Sequence, residues 1–156
     1  MNWDAIGAIG EILGAIGVVL TLLYLSIQTR NNTQATNAAS TQAVSDKWID
    51  VNVFLADHMD ELNVPITDKS SVVERQKVAS IFRVIFHQHQ NIFVQHKKGL
   101  LDEQHFKAMS RELQARLNRT DERASTVNML IIWNQEKDYY TEDFKEFIES
   151  LIDLKH

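Results

Sequence analysis

The sequence predicts an all-α protein: one N-terminal transmembrane helix that continues into a stalk, followed by a small helical bundle. Three observations lead to this fold class. Residues 3–28 form an apolar segment without Lys or Arg that is long enough to cross a bilayer. Beyond it, apolar residues recur at helical spacings of three and four, and no strand-like alternation competes with them. We therefore expect a transmembrane helix at 3–28, a polar-to-amphipathic stalk helix at 29–62 and a soluble helical domain at 70–156.

The apolar segment has the length of a bilayer crossing. Trp3 and Tyr24 are residue types of the aromatic belt at membrane–water interfaces. A helix between them is about 31 Å long, close to the hydrocarbon thickness of about 30 Å. The segment has no basic n-region and no evident cleavage site, so we expect an anchor rather than a cleaved signal peptide.

Charges at the two ends of the segment predict its orientation. Asp4 lies at the N-terminal end and Arg30 just beyond the C-terminal end. Because basic residues favour the cytoplasmic side, we expect the N-terminus outside and the C-terminal domain in the cytoplasm.

Small residues line one face of the transmembrane segment. At 100° per residue, Thr21 and four glycines fall within a stripe about 80° wide, and these glycines are Gly7, Gly10, Gly14 and Gly17. Glycine is common in membrane helices, but four in register, including a GxxxG, predict a helix-packing face. Since the chain has one such span, the partner must be another chain, and we expect a homo-oligomer.

Glu11 is the one Asp, Glu, Lys, Arg or His between Asp4 and Arg30, and so the ionisable residue of interest within the apolar segment. It lies about 12 Å along the axis from Trp3 and borders the glycine stripe, so it should avoid lipid. Three interpretations are open. Glu11 is an ion or proton site, as in a ring of carboxylates; it is a protonated side chain hydrogen-bonded across a helix interface; or it reaches the membrane surface because the helix sits shifted in the bilayer.

The stalk segment begins with polar residues but contains neither Gly nor Pro before Pro65. This composition permits a continuous helix. A flexible linker at residues 31–40 is the alternative, because short polar side chains compete for helical backbone bonds. Farther along, residues at alternating spacings of four and three predict one buried face: Val44, Trp48, Val51, Leu55, His58 and Leu62.

Capping residues predict the boundaries of the later helices. Pro65 ends the stalk, Ser71 and Glu74 have the spacing of a capping box, and Gly99 closes the helix that they open. Further N-caps are expected at Asp102, at Thr120 or Asp121, and at Thr141. The apolar residues of these four helices are Val78, Phe82, Ile85, Ile92 and Phe93; Phe106, Met109, Leu113 and Leu117; the run from Val127 to Trp133; and Phe144, Phe147, Ile148, Leu151 and Leu154.

Composition and motifs exclude several classes of function. A net charge of -5 argues against a general nucleic-acid binder, and the absence of cysteine excludes disulfides and thiolate sites. The five glycines lie at the membrane face and at one helix end, which leaves none for a phosphate-binding loop. No G-x-S-x-G motif occurs. We expect neither an enzyme nor a cofactor.

The histidines do not have the spacing of a metal site. Among His87, His89, His96 and His105 there is no H-E-x-x-H or E-x-x-H motif. His89 and His96 share the face of the apolar stripe, so we expect hydrogen-bonded histidines at the core margin or at a partner surface. A pH-responsive contact is the minor alternative.

Three segments of the chain resemble a family of small bacterial single-span membrane proteins that has no assigned function. They are AIGAIGEILGAIGVVLTLLYLSIQTRNNT at residues 5–33, FVQHKKGLLDEQHF at residues 93–106, and the aromatic segment from Trp133 to Phe147. The resemblance implies a bacterial inner-membrane setting. It supplies no catalytic or ligand-binding residues.

Two hypotheses about function follow. In the first, the chain is a self-associating inner-membrane anchor whose cytoplasmic helical domain is an interaction or scaffold module for an unidentified protein partner. In the second, a ring of these helices encloses an ion or proton pathway in which Glu11 selects or relays cations. Both hypotheses require the lipid bilayer and further copies of the chain, and neither involves nucleic acid.

Overall fold

The computed structural model describes residues 3–119 and 124–152, with only the backbone of residues 4–6. Within these residues it contains six α-helices, one short 3-10 helix and no β-strand. The predicted all-α fold, one long apolar N-terminal helix followed by a small helical bundle, is confirmed. The chain forms two compact units whose boundary in the sequence lies between Ala39 and Ser40.

The first helix, α1, spans Trp3–Asp57. Residues 31–40 are therefore helical, and the linker alternative does not hold. Thr33 Oγ1 donates to the Thr29 carbonyl at 3.0 Å, and Thr36 Oγ1 donates to the Asn32 carbonyl at 2.9 Å. These hydroxyls share carbonyl acceptors one turn back in the same helix, so they are satisfied without interrupting it.

The second half of the predicted stalk belongs to the helical bundle. Val51 and Leu55 of α1, and Leu62 of the short helix α2 (Met59–Leu62), are between 4 % and 6 % exposed and belong to the main hydrophobic core. The spacing identified the buried face, but the compact unit begins at Ser40, well before residue 70. A helical period shows that one face is buried and does not show against which surface.

The turn after α2 is held by a side chain far along the sequence. The helix ends before Pro65, as predicted. Asn128, which is 0 % exposed, accepts a hydrogen bond from the Ile66 N–H at 2.9 Å and donates one to the Val64 carbonyl at 2.7 Å. These two bonds satisfy backbone groups that the turn itself leaves unpaired.

The third helix, α3, spans Val72–Lys97 and has the predicted boundaries. The Ser71 N–H donates to Glu74 Oε2 at 2.7 Å, and the Glu74 N–H donates to Ser71 Oγ at 3.2 Å, which completes the capping box. Gly99 has a φ of 69°, the left-handed conformation that commonly follows a helix C-terminus.

Three helices follow: α4 at Glu103–Leu117, α5 at Ala124–Glu136 and α6 at Glu142–Leu151. Asp102 caps α4 by accepting hydrogen bonds from the Gln104 and His105 N–H groups at 2.9 and 3.0 Å. Thr141 occupies the N-cap position of α6, but its side chain makes no capping hydrogen bond. The predicted caps Thr120 and Asp121, and the predicted apolar residue Leu154, lie outside the described residues.

The core of the bundle is built around aromatic rings from α3, α5 and the start of α6. The Trp133 ring centroid lies 5.0 Å from that of Phe86 and 5.5 Å from that of Tyr140. Phe144 continues the contact at 5.7 Å from Tyr140, and its side chain is 0 % exposed. A smaller apolar cluster contains Val44, Ile92 and Leu101.

Candidate functional site

The predicted packing face lies open along α1. A Cβ atom built on Gly7, Gly10, Gly14 or Gly17 meets nothing within 4 Å. Thr21 Oγ1 donates to the Gly17 carbonyl at 2.8 Å, so the hydroxyl is satisfied within the helix. A second helix can therefore approach this face closely, and a larger side chain placed there clashes with nothing in the chain itself.

Large apolar side chains cover much of the remaining surface of α1 between Ile9 and Ile27. Leu13, Leu20 and Leu25 are 63 %, 61 % and 52 % exposed. The helix contains an 18-residue window with a mean hydropathy of 2.1, and none of that window is buried. The core helix of a soluble protein passes the same test of length and composition, but such a helix is mostly buried. Among the described residues, this is the one helix long and apolar enough to span a membrane.

Glu11 lies on the exposed surface of the same helix. In the part of the chain that the structure describes, its carboxyl group makes no hydrogen bond or ion pair. On the helix it lies about 40° from Gly7, at the edge of the glycine face. Any helix that packs on this face would therefore also reach the carboxyl group.

The four histidines lie in four different environments. The rings of His87 and His89 each lie 5.2 Å, between centroids, from an aromatic ring, that of Tyr140 and that of Trp48 respectively. His96 stacks on Phe106 at 4.0 Å and its Nε2 lies 3.4 Å from Glu103 Oε2, whereas His105 Nδ1 lies 2.6 Å from Asp102 Oδ2. Over residues 3–119 and 124–152, no group of three or more His, Cys, Asp or Glu side chains could hold a metal ion.

His89 is the most buried of these histidines. It is 2 % exposed, and its Nδ1 atom lies 2.8 Å from the Ile85 carbonyl, which makes Nδ1 the protonated nitrogen. Nε2 then carries a buried lone pair, for which the described residues offer no hydrogen-bond donor. Burial lowers the pKa of His89 from 6.5 to about 4, because the charged imidazolium would lose its hydration.

We expect acid to destabilise the bundle through His89. Between pH 6.5 and about 4 the unfolded chain binds this proton and the folded chain does not. The contribution of His89 to stability should therefore be constant above pH 6.5 and fall by up to about 3 kcal/mol as the pH approaches about 4. Denaturant unfolding followed by circular dichroism across this range measures the loss.

His89→Phe should remove that part of the pH dependence because Phe cannot take up a proton. The matched control is His87→Phe on the same helix, where the side chain is exposed. Equal pH dependence in the wild type and in His89→Phe would contradict the assignment.

Two cationic side chains of the bundle were not singled out by the sequence patterns. Arg83 Nε donates to Glu136 Oε2 at 2.7 Å, and this hydrogen bond raises the pKa of Arg83. Arg116 lies over the Trp48 ring at 5.9 Å from its centroid. Neither pair could be found from spacing, because the partners lie on different helices and far apart in the sequence.

Comparison with known proteins gives no match: no family model, no curated protein and no solved structure is similar to the chain. The resemblance to a bacterial membrane family therefore stays a prediction, and function has to be argued from the geometry.

Proposed function

We propose that the chain is a self-associating single-span protein of the bacterial inner membrane that displays a cytoplasmic helical domain to other proteins. The observation that carries this proposal is the unburied apolar surface of α1. Beyond Ser40, most large apolar side chains are buried or partly buried in packed clusters, whereas the described apolar side chains of residues 7–39 are exposed.

The size of this surface argues for a bilayer. Eleven large aliphatic residues on this surface are each at least 50 % exposed: Ile9, Ile12, Leu13, Ile16, Val18, Val19, Leu20, Leu22, Leu23, Leu25 and Ile27. Burying a side chain of this kind contributes about 1.5–3 kcal/mol, so leaving all of them in water would cost on the order of 10 kcal/mol. That is comparable to the whole stability of a typical domain, about 5–15 kcal/mol. Transfer of residues 3–28 into hydrocarbon would avoid the cost.

The proposed orientation rests on the charges of the sequence, with Arg30 on the cytoplasmic side. Trp3 and Tyr24 are 70 % and 66 % exposed, so both rings are free to lie at the two interfaces of the bilayer. The inner membrane is what the family resemblance implies.

Labelling of engineered cysteines tests both insertion and orientation. The chain has no native cysteine, so Asn2→Cys and Asp68→Cys each report one position. In intact bacteria an impermeant maleimide should label Asn2→Cys and leave Asp68→Cys unlabelled until the cells are opened. Labelling of Asp68→Cys alone would reverse the orientation. Recovery of the protein in the soluble fraction would overturn the membrane proposal.

Self-association is supported by the open glycine face. In lipid, helices associate mainly through close packing. The hydrophobic effect adds little there, because lipid tails are as apolar as the side chains that they replace. Glycine lets two backbones approach, and the face has no competing contact within the chain.

Enlarging the face should break the oligomer. We expect Gly10→Leu with Gly14→Leu to weaken association by about tenfold or more, because two leucines would hold the backbones apart. Ala8→Leu with Ala15→Leu is the matched control, since these alanines lie about 120–140° from the centre of the stripe. Cross-linking and mass measurement of the reconstituted protein give the oligomeric state. An unchanged oligomer in the glycine variant would show that the interface lies elsewhere.

A second candidate function is an ion or proton pathway, and Glu11 is the observation that favours it. A carboxyl group within the apolar segment is costly, and such residues often mark ion and proton routes. Packing through the glycine face would bring several copies of Glu11 close to the oligomer axis, where they would either line a route or hydrogen-bond across the interface.

Glu11→Gln separates these two roles, because glutamine keeps the shape and the hydrogen-bonding capacity but cannot ionise. If Glu11 only joins helices, wild-type liposomes should hold a pH or potassium gradient and Glu11→Gln should leave the oligomer intact. We expect this result. A wild-type leak that Glu11→Gln abolishes would instead establish the pathway.

A further inference from the structure

A cleft enters the helical bundle between α2, α3, α4 and α5. Its inner part is a cavity of about 110 Å³ whose apolar lining comes from Leu62, Phe82, Ile85 and Met129, with Asn63, Ser125 and Thr126 as polar lining residues. Outside it, a groove runs between α1 and α4. The two parts share Met59, Arg116 and Arg119, so the cavity opens to solvent past a pair of arginines.

Arg116 is held at the mouth of this cleft. One guanidinium N–H donates to Glu112 Oε1 at 2.7 Å, and the guanidinium lies over the Trp48 ring. Its side chain keeps 32 % of its surface exposed. A guanidinium has five N–H donors in a planar fork, so the bond to Glu112 leaves donors for an anion at the mouth.

We propose that this cleft binds the end of a single acyl chain whose anionic head group, a carboxylate or a phosphate, is held by Arg116. The arginine fork at the mouth favours an anionic head group, because the donors that Glu112 leaves unused match the oxygens of both anions. The apolar wall selects the tail. A ligand with one apolar tail and one anionic head group can contact the cavity wall and Arg116 at the same time.

The dimensions fit a chain end rather than a bulky group. An apolar cavity of about 150 Å³ holds benzene, so a cavity of about 110 Å³ has room for a few methylene groups. Met59 at the mouth and Met129 in the wall have flexible thioether side chains, which adapt readily to a ligand. All of these residues belong to the unit that begins at Ser40, so the cleft contains no residue of the proposed membrane span.

The methionines provide the measurement. In the full chain, labelled at the methionine methyl groups and reconstituted in zwitterionic lipid nanodiscs, Met59 and Met129 report on the cleft. Met109 packs against the separate cluster of Val44, Ile92 and Leu101 and is the internal control. Titration with octanoate or octyl phosphate, below their micelle concentrations, should shift the NMR signals of Met59 and Met129 saturably and leave Met109 unchanged. Absence of those shifts, or equal shifts of all three signals, would overturn the proposal.

Substitution of the arginine tests the head group. Arg116→Gln should weaken octanoate binding by about tenfold and leave the weaker binding of octanol unchanged. Arg111→Gln removes the same charge from α4 at a residue that does not line the cleft, and it should bind octanoate as the wild type does. Octanoate binding that is insensitive to Arg116→Gln would overturn the role of Arg116. If Arg116→Gln fails to fold, the titration of the wild-type methionine signals still tests the proposal, because it uses no variant.

Discussion

The need to remove apolar surface from water is the constraint on which the rest of this structure depends. The two ends of α1 differ in whether the chain itself covers their apolar side chains. Near its end, Val51 and Leu55 pack against the chain's own core. Near its start, Leu13 and Leu20 have no covering within the chain. The first arrangement makes a folded bundle, and the second leaves an apolar surface that the described part of the chain does not bury.

Within the bundle, three of the buried polar side chains have an identifiable cost or use: Asn128, Glu136 and His89. Asn128 pairs with the backbone of the turn that contains Pro65, so a loop without regular structure is still hydrogen-bonded. Arg83 and Glu136 join α3 to α5 by a charged hydrogen bond. His89 is different, because its Nε2 atom has no donor among the described residues and its imidazole is kept neutral by burial. Acid therefore acts on the bundle through a residue that takes no part in either proposed site.

Each of the two proposed sites places a charged residue beside apolar surface. On the N-terminal helix, an apolar surface is interrupted by a single acidic residue, Glu11, beside small residues. In the cleft of the bundle, an apolar wall ends at the cationic residue Arg116. A charge beside apolar surface is stabilised by polar partners, because an unpaired buried charge is costly. For Glu11 the proposed partner is another copy of the chain. Arg116 already pairs with Glu112, and its remaining donors are proposed to hold the head group of an acyl chain.

The sequence by itself determined the features that depend on neighbouring residues. The capping box of Ser71 and Glu74, the cap at Asp102 and the left-handed Gly99 were all predictable, because each involves backbone groups within a few positions. The apolar length of residues 3–28 and the all-α fold were predictable for the same reason.

Only the tertiary structure decided which surfaces face one another. The helical spacing showed that Val51 and Leu55 are buried, but it could not show that they join the bundle instead of extending a stalk. The contact of Trp48 with Arg116 joins residues far apart in the sequence, and so does that of Asn128 with Ile66. The cavity beside Arg116 is defined by the space between four helices. Such contacts depend on how separate helices pack, and the period of a single helix carries no information about the identity of its neighbour.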